Sequence, residues 1–332
     1  MQEMYTIGID LGGTKIEAAA ITLSGEIIHS HSILTKVTAG YPGVKAQLVE
    51  IIHTITSLLP ANSLLGIGIG VPGQVEAKTG DVIFAPNLQW HQVPLLQDLE
   101  EACNSPIFVL NDLRAITVGE WLFGAGKNSS NLFCMFIGTG IGGGMICEGR
   151  LMQGSENSFG EVGHTPVNFK GPICTCGNHG CLEAYAGGWA IARNAKERIQ
   201  ADPSKGKAIL KHCSRVEDIN ATHVFQAYRE GDPLASEVVE EAIEALIAGC
   251  IGVVNLTNPE KLILGGGVLN GFQGFFQRIK RGIEKGALKV AVRSLEIVPA
   301  ALGKHSGVIG AAAMVIHNQK RGNVGNETTY KL

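Results

Sequence analysis

Apolar residues come in short runs along this chain, and most runs end in glycine or in a turn rich in Asn, Asp or Pro. Tyr5 to Asp10 reads as a buried strand, and a Gly-Gly turn leads to the alternating run Ile16 to Thr22. Ser24-Gly25 joins that run to a third strand, Ile27 to Ser32. The period then lengthens to that of a helix from about Pro42 to Leu59. Leu65 to Gly70 is again a strand, turned by Pro72-Gly73. A short strand from Asp81 to Phe84, a loop at 86–90 and a helix from Leu95 to Ala102 follow. The next strand, Ile107 to Leu110, ends in Asn111-Asp112. A polar pair at the carboxyl end of a buried strand is where α/β folds place their sites.

After Asp112 the pattern restarts. A helix from Arg114 to Phe123 precedes the strand Asn131 to Ile137, the glycine segment 138–144 and a strand from Met145 to Cys147. A helix is expected from Glu183 to Gln200, and short surface helices over 201–231. Asp232-Pro233 is a good N-cap and first-turn pair, and it opens a long helix to about Asn255. Lys261 to Leu264 and Leu295 to Val298 read as strands, and Gly307 to Ile316 as a helix of small residues able to pack tightly. The tail from Asn318 is expected to be disordered. A strand, a glycine turn and a second strand thus open the chain twice, at 5–22 and at 131–147, which hints at internal duplication.

Composition narrows the class. With 332 residues, 45% hydrophobic, 17% charged and 44 glycines, the chain can bury a large core in two domains, as a compact α/β enzyme does. A net charge of −3 without a Lys/Arg run gives no support for a nucleic-acid partner. No run approaches the ~20 apolar residues of a membrane span, and no signal peptide is visible, so a cytoplasmic protein is expected.

The densest chemistry lies between Gly160 and Glu183, where His164, Cys174, Cys176 and Cys181 accompany Glu161 and Glu183. Three thiolates and an imidazole are a known tetrahedral zinc set, which would be structural because it leaves no open position. Isolated thiols or a disulfide are the alternative, although C-x-C is a poor disulfide spacing. One nitrogen of His164 can bind metal while the other faces a ligand. The two glutamates can serve a site, or can be solvated or cap a helix. The glycines at 12–13, 138–144 and 265–267 can bring backbone amides close to phosphate, or can simply make hairpins. Residues 138–144 and Gly68 to Gly73 both match G-x-G-x-x-G, but a β pattern follows Gly144 and Pro72 interrupts the other match. That context argues against a dinucleotide-binding dehydrogenase.

DLGGTK at 10–15, PNLQW at 86–90, ND at 111–112, GTGIGGG at 138–144, GEVGH at 160–164 and CTCGNHGCLE at 174–183 resemble the ROK family of sugar kinases, most of all its bacterial glucokinases. The resemblance spans nearly the whole chain. It implies a two-domain α/β fold, actin-like and hexokinase-like (ribonuclease H-like), with a small zinc-bound loop in the larger domain. The expected domains are 1–112 with 306–332, and 113–305, hinged near Asn111 to Arg114. Also implied are ATP with Mg2+, a structural Zn2+, a hexose substrate and a homodimer or homotetramer.

Carried over by position, the resemblance makes Asp112 the general base. Gly73, Asn87, Asn111, Glu161, His164 and Glu183 would bind the sugar with it. His164, Cys174, Cys176 and Cys181 would hold zinc. Gly12, Gly13, Thr14 and Lys15, with Gly138, Thr139, Gly140, Ile141, Gly142, Gly143 and Gly144, would hold the phosphates. Gly266 would lie near the adenosine and Asp10 near magnesium. Leu113-Arg114 departs from the family, which usually has a small residue and then Asn after the ND pair, and Arg114 could alter the hinge or the sugar's surroundings. The expected reaction is phosphorylation of glucose to glucose 6-phosphate, with N-acetylmannosamine, N-acetylglucosamine, mannose and fructose as rival substrates. The family also contains sugar-responsive repressors. Those carry a DNA-binding domain ahead of the DLGGTK strand, and only nine residues precede Asp10 here.

Overall fold

The computed structural model describes residues 2–271 and 274–324. It divides into two compact units. The first comprises residues 1–129, 145–159 and 300–332, and the second comprises 130–144 and 160–299.

The first unit begins with β1 (Tyr5–Leu11), β2 (Lys15–Thr22) and β3 (Ile27–Leu34), joined as antiparallel hairpins. Helix α1 (Gly40–Thr56) crosses to β4 (Leu64–Val71), which lies parallel to β1. A small sheet of β5 (Gln74–Val75), β6 (Val82–Ala85) and β7 (Trp90–Val93) follows, then α2 (Leu95–Ala102), β8 (Ile107–Asn111) and α3 (Asp112–Phe123). The main sheet runs β3-β2-β1-β4-β8. Covered on both faces, β1 and β4 are almost wholly apolar, as central strands must be. Residues 86–90 are not a plain loop, because a 3-10 turn over Pro86–Leu88 leads into β7 and Trp90 is buried against Tyr41.

In the second half, β9 (Leu132–Ile137), β10 (Ile141–Cys147) and β11 (Arg150–Leu151) come first. Next are α4 (Leu182–Ala186), α5 (Gly188–Ala201), α6 (Ala221–Arg229) and α7 (Pro233–Thr257). The remaining elements are β12 (Lys261–Gly265), α8 (Gly267–Asn270), α9 (Phe275–Gly286), α10 (Lys289–Val292) and β13 (Glu296–Pro299). This sheet runs β11-β10-β9-β12-β13, with β12 parallel to β9 and β13. Each sheet therefore has the same plan: three consecutive strands in reverse order, then two strands added in parallel on the far side of the first. The two openings seen in the sequence are these two hairpins.

Three further expectations change. Strand β10 starts at Ile141, so Gly142 to Gly144 are strand residues; a Cβ on Gly143 would overlap the carbonyl of Cys134. The helix expected from Glu183 is two helices, because Gly187 is extended and the Gly188 N–H turns away to the Gly138 carbonyl. The final helix, α11 (Ser306–Val324), continues through Asn318, and the rest of the tail lies outside the described residues. The His317 ring packs edge-on to Trp121 and helps hold that extension in place. The small residues of α11 let it lie directly on β1 and β4. A Cβ on Gly8 would overlap the Val308 carbonyl, and one on Gly68 the Ala311 carbonyl.

Candidate active site

In the first unit the expected residues form two sets, Gly73 with Asn111 and Asp112, and Gly13 with Asn87. Asn111 caps α3, accepting from the N–H groups of Leu113 at 3.1 Å and Arg114 at 3.2 Å. Its Nδ2 donates to the Gly73 carbonyl at 3.2 Å and to Asp112 Oδ1 at 3.0 Å. The Leu113 N–H donates to the same oxygen at 2.8 Å, so the Asp112 carboxylate is oriented by two donors at the end of β8. Gly73 lies so close to β6 that a Cβ would overlap the Phe84 carbonyl. Across the Gly12-Gly13 turn, Gly13 sits against the backbone and Cβ of Asn87, where a Cβ would come within 2.7 Å of the Asn87 carbonyl. The turn closes through Gly12 N–H to the Lys15 carbonyl at 2.9 Å, and Thr35 Oγ1 donates to the Gly12 carbonyl at 2.7 Å. Thr14 and Lys15 are exposed there.

Beside that turn the sequence reading missed a partner set. Lys15 Nζ pairs with Glu17 Oε2 at 2.6 Å, and His305 Nδ1 lies 3.1 Å from Glu17 Oε1. Burial raises the Asp10 carboxyl and nearby Glu17 adds to this, while Lys15 opposes it. A divalent cation next to Asp10 would reverse that balance. The alternation of Lys15 and Glu17 on one face of a strand was a usable signal; His305, 288 residues away from Glu17, gave none.

In the second unit, Glu183 is 8% exposed, and protein donors engage both of its oxygens. The Ile141 N–H donates to Oε2 at 2.7 Å, and Trp189 Nε1 donates to Oε1 at 3.0 Å. Gly140 leaves the space the carboxylate fills. The turn at Gly138 to Gly140 is tied to the start of α5 by Gly188 N–H to the Gly138 carbonyl at 2.9 Å and by Trp189 N–H to the Thr139 carbonyl at 3.2 Å. Gly138, Thr139, Trp189, Asn220, Phe225 and Gly267 are among the residues that wall a cavity of about 610 Å³. Gly266 has φ 103°, and a Cβ there would overlap Ile137, so only glycine suits this turn at the end of β12. Glu161 is exposed, three residues before His164.

The four metal candidates come together. The ligand atoms of His164, Cys174, Cys176 and Cys181 all lie within 4.8 Å of one another. Cys176 and Cys181 sulfurs are 3.7 Å apart, and Cys174 Sγ is 3.6 Å from His164 Nδ1. Sulfurs bound to one tetrahedral zinc lie about 3.8 Å apart, given a Zn–S bond of ~2.3 Å. A disulfide needs ~2.05 Å. The set therefore fits zinc. Burial, with Cys176 and Cys174 adding, pushes the Cys181 thiol up to about 12, whereas the Asn178 backbone N–H brings Cys176 down. Holding Cys181 as a thiolate calls for a cation beside it. With Nδ1 turned to the sulfurs, His164 keeps Nε2 for another partner.

The ROK family model matches residues 6–318. The chain belongs to the ROK family. A glucokinase of Thermotoga maritima is 32% identical over 95% of this chain and 98% of its own length. A xylose repressor of Caldicellulosiruptor bescii is 31% identical over 93% of this chain and 77% of its own. Among solved structures, a ROK glucokinase from Streptomyces griseus in complex with glucose and AMPPNP has a TM-score of 0.77 at 32% identity, covering 93% of this chain and 98% of that one. The fold is the mixed α/β fold of ROK hexokinase-like ATPases, and the Cys/His cluster fits it. No helix among the described residues of this ROK protein is long and apolar enough to cross a membrane.

Proposed function

We propose that this chain transfers the γ-phosphoryl group of ATP to the 6-hydroxyl of a hexose, with glucose as the first candidate. The observation that carries the reading is the set Gly73–Asn111–Asp112, in which two donors orient a strand-end carboxylate. Glucokinase relatives matched over nearly their full length support it. A hexose offers several hydroxyls, each a donor and an acceptor. Asn87, Asn111, Glu161, Glu183 and the Nε2 of His164 would pair with them. Asp112 would accept the 6-hydroxyl proton as the attack on phosphorus develops.

Phosphoryl transfer needs mainly positioning and charge neutralisation. The amides at Gly12 to Lys15 and Gly138 to Gly140, with the Lys15 ammonium, would supply both. Ile141 and Gly142 to Gly144, which open β10, would extend that phosphate loop. Mg2+, near Asp10, would neutralise phosphate charge. Zinc at His164, Cys174, Cys176 and Cys181 would fix the loop between Glu161 and Glu183.

An ADP-release assay with ATP, Mg2+ and a sugar panel tests the reading. The panel is glucose, mannose, fructose, N-acetylglucosamine and N-acetylmannosamine. Turnover of glucose above the others is expected. Preference for an N-acetylated sugar would keep the kinase and move the substrate. Sugar binding without turnover would overturn the kinase reading in favour of a sugar sensor, the class to which the xylose repressor relative belongs.

A further inference from the structure

Trp189 stands where three parts of the second unit meet. Its indole N–H donates to Glu183 Oε1 at 3.0 Å. Its ring packs against the buried cluster of Cys174, Cys181 and Ala184. It also walls the cavity beside Gly138 and Thr139. Arg193 lies over the ring, 4.8 Å from its centroid, and donates to the Ile173 carbonyl in the cysteine loop and to the Ala184 carbonyl. Nothing in the sequence reading assigned Trp189 or Arg193 a role.

The geometry points to Trp189 as a positioning residue that couples sugar binding to nucleotide binding. This rests on the function proposed above, in which Glu183 binds the sugar and the cavity at Gly138–Thr139 receives the nucleotide. The indole is held on one side by Arg193 and the cysteine loop. A nucleotide filling the cavity presses on the same ring whose N–H orients Glu183. A hydrogen bond to a buried carboxylate is strong and directional, so a small tilt of the ring alters the acceptor geometry that the sugar meets. The Ile141 N–H anchors the other oxygen, which leaves rotation about that anchor as the motion Trp189 restrains. Reciprocity then requires sugar to change nucleotide affinity by the same factor.

The test is calorimetric titration of glucose into the full chain, with and without saturating AMPPNP, for the wild type and for Trp189→Phe. Phenylalanine keeps an aromatic ring in the wall and removes the donor. In the wild type, nucleotide should change the glucose dissociation constant by about fivefold or more, within the usual range for linked sites. In Trp189→Phe, glucose should bind about tenfold more weakly, and the ratio with and without AMPPNP should fall towards one. The double variant with Glu183→Gln should lose no more than Glu183→Gln alone, a non-additivity that a purely structural role would not produce. Wild-type affinity and coupling in Trp189→Phe would overturn the proposal while leaving the kinase reading intact. No effect of AMPPNP on glucose binding in the wild type would also overturn it, whether or not the variant folds. A wild-type chain that binds neither ligand would overturn the function and this inference together.

Discussion

Arg114 Nη1 donates to Asn157 Oδ1 at 2.5 Å, and Arg114 is only 2% exposed. Asn157 in turn donates through Nδ2 to the Val75 carbonyl at 2.7 Å. The residue that departs from the family pattern thus ties α3 to segment 145–159 and, through β5, to the loop that carries Gly73. It is a brace two residues behind Asp112. Asn157→Ala removes a partner from a buried guanidinium and should lower the unfolding free energy by about 2–4 kcal/mol. Urea unfolding followed by circular dichroism reads this directly. A loss under about 0.5 kcal/mol, the usual scatter for surface changes, would show that the brace carries no weight.

Glu17 makes stability depend on pH. Burial alone would raise its carboxyl, but Lys15 and His305 outweigh burial and hold it below its usual 4.5. A depressed folded-state value means the stabilisation is fully present above pH 4.5 and is lost as pH falls through the folded value. Asp10 is raised instead, so its contribution runs the other way, being lost as pH rises through its folded value. The difference between wild type and Glu17→Gln reads the first effect together with the lowering of Asp10 that loss of the Glu17 charge brings. The variant should be the less stable protein at neutral pH, and the gap should close under acid. Parallel pH curves for the two proteins would refute the assignment.

What could be read from the chain was whatever its chemistry keeps local. The apolar run of β1 and the Asp232-Pro233 start of α7 are local and found as expected, and the four metal candidates, spread over 18 residues, come together; Asp232 accepts from the Ala235 N–H at 2.8 Å. Contacts between distant segments were not legible. Glu183 meets Ile141 across 42 residues, and Glu120 accepts from Ala301 and Leu302 across more than 180. The break at Gly187 was missed because helical periodicity continues on both sides of it. There Gly187 is extended and the Gly188 N–H donates to the Gly138 carbonyl. Helix α9, with Phe275, Ile279 and Ile283 on one buried face, carries a plain helical period that gives it away in the sequence.

Glu120 is fully buried, and its carboxylate accepts from three backbone N–H groups, those of Ala125, Ala301 and Leu302. Both partner segments belong to the first unit, so this carboxylate fixes where the chain re-enters that unit ahead of α11. Glu120→Ala strands those donors and should cost about 3 kcal/mol or more, seen as a lower urea midpoint with an unchanged slope. Glu120→Gln, which keeps two acceptor sites at one oxygen, should cost less. Equal losses in the two variants would show that shape, not the hydrogen bonds, sets the effect.

Metal removal has its own signature. Protein purified without chelator should hold about one zinc per chain, the count that a single Cys3His set requires. Cys181→Ser should release it and lower the melting temperature by about 5–10 °C, the shift that a loss of a few kcal/mol produces in a protein of this size. Because His164 contributes both to this cluster and to the proposed sugar site, the metal-free protein should also bind glucose more weakly. Full zinc loss with unchanged melting and unchanged sugar binding would separate the cluster from the site.

Asp112→Asn tests the base with the least disturbance. Asparagine has the same shape, and its Oδ1 can still accept from the Leu113 N–H and from Asn111 Nδ2, so the cap of α3 survives. What it loses is basicity at the position proposed to take the 6-hydroxyl proton. General-base catalysis of this kind contributes about 10²–10⁴ in rate, so kcat should fall by about that factor while the glucose dissociation constant stays within about threefold. Such a split assigns the residue to the chemical step. A rise in KM with kcat preserved would make Asp112 a sugar ligand only. A near-wild-type rate would remove it from the mechanism and send the search for the base to Glu161 and Glu183.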